Sequence, residues 1–180
     1  VSSVPILDSL LNIITEEPNY ESNYISCMES IIHPGMDVVV VGGGWGVAAT
    51  VAGQKVGTEG SVLVYEASES EVQKTKQTVK LNQTSTQTQV IHAIIGDPIK
   101  LRGNEDTQNA KNISLENLPA HDILLIDCDG CELFLLNNLS NLQQLPDKIV
   151  VEHHGVKDEV EYDPMSIKEK LRDYDYTIIE

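Results

Sequence analysis

The sequence predicts an α/β protein in which helices cover both faces of a mostly parallel sheet, in three layers. Short runs of apolar, β-branched residues alternate along the chain with longer segments of helical periodicity, as in strands joined by crossover helices. Two of these runs, VVVV at 38–41 and ILLI at 123–126, contain no polar residue. Central strands of parallel sheets have this composition, because both of their faces are buried.

The N-terminal segment, residues 1–34, is predicted to be helical and to pack over this sheet. Apolar residues between 6 and 14 recur at helical spacing, and a second helix is expected at 21–32. Residues 35–180 are predicted to form one globular unit. Its strands are expected at 37–41, 61–66, 89–95, 122–127, 148–154 and 175–180. Its helices are expected after the glycine turn up to about 55 and at 68–82, 131–139 and 163–174, with an irregular loop at 97–112.

Composition narrows the range of functions. The 180 residues include 28 acidic and 12 basic ones, which gives a formal net charge of −16. That charge repels phosphate backbones, so nucleic acid is not an expected partner. No run approaches the roughly 20 apolar residues of a membrane span, and no secretory signal is recognisable, so we expect a cytoplasmic protein without membrane contact. The scattered acids favour a halophilic protein, adapted to a cytoplasm of high salt.

The three cysteines, Cys27, Cys128 and Cys131, are too few for a disulfide framework and suit a reducing compartment. Cys128 and Cys131 form a C-x-x-C pair at the predicted start of a helix, and we interpret them as ordinary small residues of a loop. A redox pair is a weaker alternative, which rests on the lower pKa of a thiol at a helix N-terminus. A zinc site is weaker still, because no second cysteine pair accompanies them.

The glycine turn at 42–46 lies between a buried strand and the start of a helix, where a ligand can approach the backbone closely. Glu66, at the end of the next strand, stands where an acid binds ribose hydroxyls. Two cofactors fit this pattern. A dinucleotide fingerprint is formed by Gly44, Gly46 and Ala49. A methyltransferase motif is formed by Gly42, Gly44 and Gly46, and we favour it because its first glycine directly follows the strand.

A later segment supports the methyltransferase motif. The stretch ISLENLPAHDILLIDCDGCELFLLNNL, residues 113–139, resembles the FkbM-type S-adenosylmethionine-dependent methyltransferases, in which Ile-Asp ends a strand and an acid, a glycine and a glutamate follow. The resemblance implies a Rossmann-like, class I methyltransferase sandwich that methylates a hydroxyl of a small molecule or sugar. Val40 departs from the class, whose members usually carry an acid there that helps to hold the methionine moiety.

The resemblance also implies a set of cofactor ligands. Asp97 would contact adenine, and Asp127 would lie nearest the methionine end. The residues expected to bind S-adenosylmethionine are Gly42, Gly43, Gly44, Gly46, Glu66, Ala67, Asp97 and Asp127.

The expected catalytic residues follow the fourth and fifth strands, whose carboxyl ends share one edge of a parallel sheet. Asp127 comes first, and Asp129 or Glu132 would orient the acceptor. His153 or His154 is the candidate base, because an imidazole titrates near neutral pH. We assign no metal ligand; a divalent cation bridging these carboxylates and a histidine is a weaker alternative.

Two other classes of function stay open. An NAD(P)-binding oxidoreductase would bind reduced nicotinamide cofactor, and a catalytically silent, Rossmann-like binding protein would bind no nucleotide. No motif specifies the methyl acceptor or the oligomeric state.

The net charge predicts stabilisation by salt. Repulsion among the surface acids destabilises the folded state, and it is screened beyond about 10 Å at 0.1 M salt and about 3 Å at 1 M. The melting temperature, measured by calorimetry, should therefore rise as KCl is raised from low to molar concentration. A flat or falling curve would reject salt adaptation.

Overall fold

The computed structural model describes residues 5–8, 13–16, 21–84, 86–96, 107–128, 130–153 and 164–179. The first strands, β1 Pro5–Asp8 and β2 Ile13–Glu16, form a separate antiparallel pair. The main sheet contains β3 Asp37–Val41, β4 Ser61–Glu66, β5 Thr88–Ile95, β6 Lys111–Ile113, β7 Ile123–Ile126 and β8 Lys148–Val151. The helices are α1 Ser22–Ile31, α2 Val47–Val56, α3 Glu69–Leu81, α4 Glu132–Asn137 and α5 Pro164–Asp173. Within the described ranges, no helix is long and apolar enough to cross a membrane.

All neighbouring strands of the main sheet are parallel, in the order β6-β5-β4-β3-β7-β8. Strands β4 to β6 extend from one side of β3, and β7 and β8 extend from the other, so β3 is the point where the order reverses. Ligands of open α/β sheets bind beyond the carboxyl ends of the strands at such a switch point. The ends of β3, β4 and β7 are therefore the first place to look for a site.

Two hydrophobic cores cover the opposite faces of the sheet. Val38 and Val40 of β3 pack with α1, α2 and α3, whereas Val39 and Val41 pack with α4 and α5. Successive side chains of a strand point to opposite faces, so every residue from 38 to 41 is buried. The predicted three-layer α/β sandwich is confirmed, including a helix of the N-terminal segment packed over the sheet.

The first predicted helix is wrong, because β1 and β2 stand in place of a helix over 6–14. The apolar spacing of this segment fits either structure, whereas Pro5 and the β-branched run at 13–15 favour extended backbone. The second predicted helix is confirmed as α1. The division into residues 1–34 and 35–180 stays a prediction.

Two differences concern the edges of the main sheet. β6 overlaps the end of the segment predicted as a loop, because its three residues are too few and too polar to be recognised as a strand. The sixth strand predicted at 175–180 is absent from the described residues 175–179. Asp175 turns the chain after α5 with φ +64°, and Ile179, near the end of the segment, is 92% exposed.

The central strands predict a large cost for a cavity in the core. Leu125 in β7 is fully buried, so Leu125→Ala should lower the free energy of unfolding by about 2–5 kcal/mol. Leu81→Ala, at an exposed position of α3, is the matched control and should change it by no more than about 0.5 kcal/mol. Urea denaturation measures both, and equal effects would contradict the burial of β7.

Candidate functional site

The glycine turn after β3 is pressed against the chain that leaves β7. The Asp127 N–H donates to the Val41 carbonyl at 2.9 Å, and the Gly42 N–H donates to the Tyr65 carbonyl at 2.9 Å, so the sheet's hydrogen bonds continue past the strand ends. A Cβ atom at Gly42 would overlap the carbonyl oxygen of Asp127, and Gly42 has φ +95°. Only glycine lets β3 and β7 stay paired as far as the turn.

Glu66, the last residue of β4, holds the turn from the other side. Its Oε2 accepts the N–H groups of Gly43 at 2.6 Å and Gly44 at 3.0 Å, and its Oε1 accepts the Ser68 N–H at 2.8 Å. The residue is only 8% exposed, which strengthens these charge-assisted bonds. A carboxylate has about four acceptor positions, so one position on Oε1 is left for a ligand hydroxyl.

Helix α3 supports the turn on a third side. The Thr75 hydroxyl donates to the Gly44 carbonyl at 2.9 Å, and a Cβ atom at Gly46 would press on the Thr75 backbone. Trp45 lies at the tip of the turn, and its ring centroid is 5.6 Å from the Nζ atom of Lys74. The turn is thus fixed by β7, β4 and α3, and it presents an aromatic ring at the surface.

A pocket of about 390 Å³ opens beside the turn at the carboxyl ends of the strands, and we call it the strand-end pocket. Five of the predicted cofactor-binding residues line it: Gly42, Gly44, Glu66, Ala67 and Asp127. Trp45 lines it as well. The Ala67 carbonyl is fixed by the Nε2 atom of His92 at 2.9 Å. The volume is typical of small-molecule sites.

A larger cavity of about 520 Å³ lies at the opposite edge of the sheet, beside the amino ends of β3 and β4. His121 lines it. Burial lowers the pKa of His121, and its Nδ1 atom lies 2.7 Å from the Pro119 carbonyl, so a neutral ring would donate from Nδ1. We place the candidate site in the strand-end pocket, because the reversal of strand order creates a crevice only at the carboxyl edge.

The other predicted residues have different positions. Gly43 and Gly46 form the turn without lining the pocket. Glu132 is buried, and its Oε2 accepts the Gly130 N–H at 2.8 Å, so it fixes the loop after β7. His153 follows β8 and is partly buried, and its role stays a prediction. Three predicted residues lie outside the described residues: Asp97, Asp129 and His154.

Three carboxylates converge at the wall of the strand-end pocket. Glu21 directly precedes α1, Asp127 directly follows β7, and Glu152 directly follows β8. Each offers one oxygen atom, and these three oxygens lie within 4.8 Å of one another. The Glu152 N–H donates to the Ile126 carbonyl at 2.9 Å, which keeps the ends of β7 and β8 in register.

Tyr24, in the first turn of α1, lies close to this group of carboxylates. The residue is 7% exposed, and its hydroxyl has no hydrogen-bond partner among the described residues. Burial raises the pKa of Tyr24 well above its usual value, and the charges of Asp127, Glu152 and Glu21 raise it further. Sequence reasoning missed Glu21 and Tyr24, because only the packing of α1 brings them to the sheet edge.

Cys128 and Cys131 form a disulfide, with their Cα atoms 5.5 Å apart. The interpretation of this pair as ordinary small residues of the loop is therefore wrong. The turn into α4 brings two residues that are three positions apart to a separation that suits a disulfide. Cys27 is a free, exposed thiol. The expected cytoplasmic location stays a prediction.

The described architecture is the Rossmann-like fold of class I methyltransferases, and solved methyltransferases superpose on most of the chain. A precorrin-6y methyltransferase from Geobacter metallireducens matches with a TM-score of 0.62 and 14% identity over 95% of this chain and 77% of its own. An S-adenosylmethionine-dependent O-methyltransferase from Thermotoga maritima matches with a TM-score of 0.56 and 14% identity, over 85% of this chain and 49% of its own. An S-adenosylmethionine-dependent methyltransferase from Aquifex aeolicus matches with a TM-score of 0.52 and 17% identity, over 82% of this chain and 76% of its own.

At these identities the likeness concerns the fold alone, and this chain spans about half of the length of the Thermotoga enzyme. No protein-family model matches the chain, and no curated protein matches its sequence.

The close contact at Gly42 predicts that alanine at this position lowers the free energy of unfolding by more than its positive φ alone would. Gly35→Ala is the matched control, because Gly35 has φ +86° but nothing within 4 Å of an added Cβ atom. It should cost about 1–2 kcal/mol of unfolding free energy. Gly42→Ala should cost about 4 kcal/mol or more, because the Asp127 backbone must move. If urea denaturation gives the two variants equal stability, the close approach is not as described.

Proposed function

We propose that this chain is an S-adenosylmethionine-dependent methyltransferase that acts on a hydroxyl oxygen of a small molecule or sugar. The observation that carries the proposal is the glycine turn at the switch point, which Glu66 holds on one side and Asp127 contacts on the other. The solved methyltransferases of the same fold support the class of reaction. The resemblance to FkbM-type enzymes, through the motif at 127–132, supports an oxygen acceptor.

The strand-end pocket fits this cofactor. Gly42 and Gly44 leave one wall without side chains, so the methionine and ribose portions could contact the backbone directly. Glu66 has one acceptor position for a ribose hydroxyl while it still holds the turn. Val40, which replaces the usual acid, is fully buried in the core and cannot reach the pocket. Asp127 is the carboxylate of the pocket wall that would face the methionine end.

S-Adenosylmethionine, when bound, supplies an electrophilic methyl group. The protein's own residues would hold the acceptor oxygen in line and receive its proton. His153 or His154 is the proposed base, because the two residues follow β8 in the sequence and β8 neighbours β7 in the sheet. Asp129 would contact the acceptor, and the buried Glu132 would hold the loop that carries Asp129 through its bond to Gly130.

An NAD(P)-binding oxidoreductase is the second candidate. Ala49, the last position of the dinucleotide fingerprint, is fully buried in the first turn of α2, where that fingerprint needs a small residue for close helix–strand packing. The fingerprint and the methyltransferase motif share Gly44 and Gly46, so the bound cofactor itself has to decide between the two functions.

Calorimetric titration of the purified protein distinguishes the candidates. S-Adenosylmethionine or S-adenosylhomocysteine should bind with a stoichiometry of one, and NADH should bind at least tenfold more weakly. Tighter binding of NADH would favour the oxidoreductase. If none of the three binds, the protein is a catalytically silent relative of the fold.

Replacement of Glu66 tests the ribose contact. Glu66→Gln keeps the volume but places an amide group where the carboxylate accepts hydrogen bonds, so S-adenosylhomocysteine should bind about tenfold more weakly or worse. Glu69→Gln, an exposed change three residues along, is the control and should bind as the parent does. Thermal melts of both variants separate lost affinity from lost stability. Unchanged affinity in Glu66→Gln would refute the ribose assignment.

A further inference from the structure

We infer that Glu21, Asp127 and Glu152 form a binding site for a hard divalent cation of the Mg²⁺, Mn²⁺ or Ca²⁺ class. The three ligands lie next to the ends of three separate elements, α1, β7 and β8, which meet only in the folded protein. The cation site is independent of the proposed function; only its role in catalysis rests on that function.

The spacing of the oxygens fits one ion. Two ligands on opposite sides of a cation are separated by twice the metal–oxygen distance, which is about 4.6–5.2 Å for Ca²⁺ and about 4.0–4.2 Å for Mg²⁺. The three carboxylate oxygens lie within 4.8 Å of one another, so a single ion can contact all three with little movement of the side chains. An all-oxygen, carboxylate-rich set favours hard cations over softer metals such as Cu⁺ or Zn²⁺.

A second observation, independent of the carboxylates, points to the same place. Tyr24 is more than nine-tenths buried, its hydroxyl has no partner among the described residues, and it lies within electrostatic reach of all three acids. Glu21 directly precedes α1 and Tyr24 lies in the first turn of that helix, so the same short segment carries both residues. The Oε2 atom of Glu152 is also buried without a partner in the described structure. A hydrated cation would provide a partner for both atoms.

The group differs from the scattered acids of the surface. Its three carboxylates are each partly buried, and they repel one another at this distance. The backbone nonetheless holds the strand ends that carry Asp127 and Glu152 in register. A bound cation offsets the repulsion that this arrangement creates.

The position of the group suggests a use. Glu21 and Asp127 both line the strand-end pocket, so an ion held by them would be accessible from the space in which a cofactor and an acceptor would bind. A hard cation lowers the pKa of a hydroxyl bound to it, which would assist methylation of an oxygen at neutral pH. This role rests on the proposed function, whereas the binding of the ion does not.

Mn²⁺ is a suitable probe, because electron paramagnetic resonance reports the free ion directly. The chelator-treated protein is titrated with MnCl2 in 0.5 M KCl, which screens weak binding to the acidic surface. We expect one Mn²⁺ per chain, displaced by Ca²⁺ or Mg²⁺. Glu152→Gln and Glu21→Gln should each weaken this binding at least tenfold. Glu29→Gln, an exposed change in α1, is the control and should leave it unchanged.

Two outcomes would overturn the inference. These are an absence of saturable binding at millimolar Mn²⁺, and equal affinities in Glu152→Gln and Glu29→Gln. Thermal melts check that each variant is folded. If Glu152→Gln does not fold, Glu21→Gln still tests the inference. A titration of the same preparation with S-adenosylhomocysteine, in the absence of metal, tests the proposed function separately. Loss of cofactor binding with retained Mn²⁺ binding, or the reverse, identifies which of the two proposals fails.

Discussion

The contact between Gly42 and the backbone of Asp127 is the constraint on which the rest of the site depends. β3 and β7 can continue their hydrogen bonds past their ends only if no side chain separates them. With that side closed by β7, the turn faces β4, where Glu66 accepts the N–H groups of Gly43 and Gly44. The shape of the strand-end pocket thus depends on Gly42, whose lack of a Cβ atom lets the turn lie against the backbone of Asp127.

Glu66 both holds the glycine turn in place and lines the strand-end pocket. Its carboxylate is buried and accepts three backbone N–H groups, yet it also lines the pocket. A ligand hydroxyl that reaches Oε1 meets an acceptor whose position is already fixed on both sides. The turn need not become ordered on binding, so less conformational entropy is lost at that step.

The central strands could be predicted from the sequence, because strands buried on both faces are unbroken apolar runs. The glycine turn and Glu66 could be found for a related reason, since each directly follows such a run. Prediction failed over 6–14, where apolar spacing fits a helix and a strand equally. Glu21 and Tyr24 could not be found at all, because their proximity to Asp127 depends on how α1 packs. The disulfide depended likewise on the local path of the chain into α4.

The pairing of β3 with β7 joins distant parts of the chain. The Asp37 N–H donates to the Asp122 carboxylate across a sequence separation of 85 residues. Strands β3, β4 and β5 can associate with near neighbours in sequence, whereas β7 must close a much longer loop before it docks, and such long-range contacts slow folding. A growing polypeptide that has emerged only as far as β6 would carry the turn and Glu66 but not the wall that Asp127 provides. The strand-end pocket is therefore completed late in the folding of this chain, when its second half docks against its first.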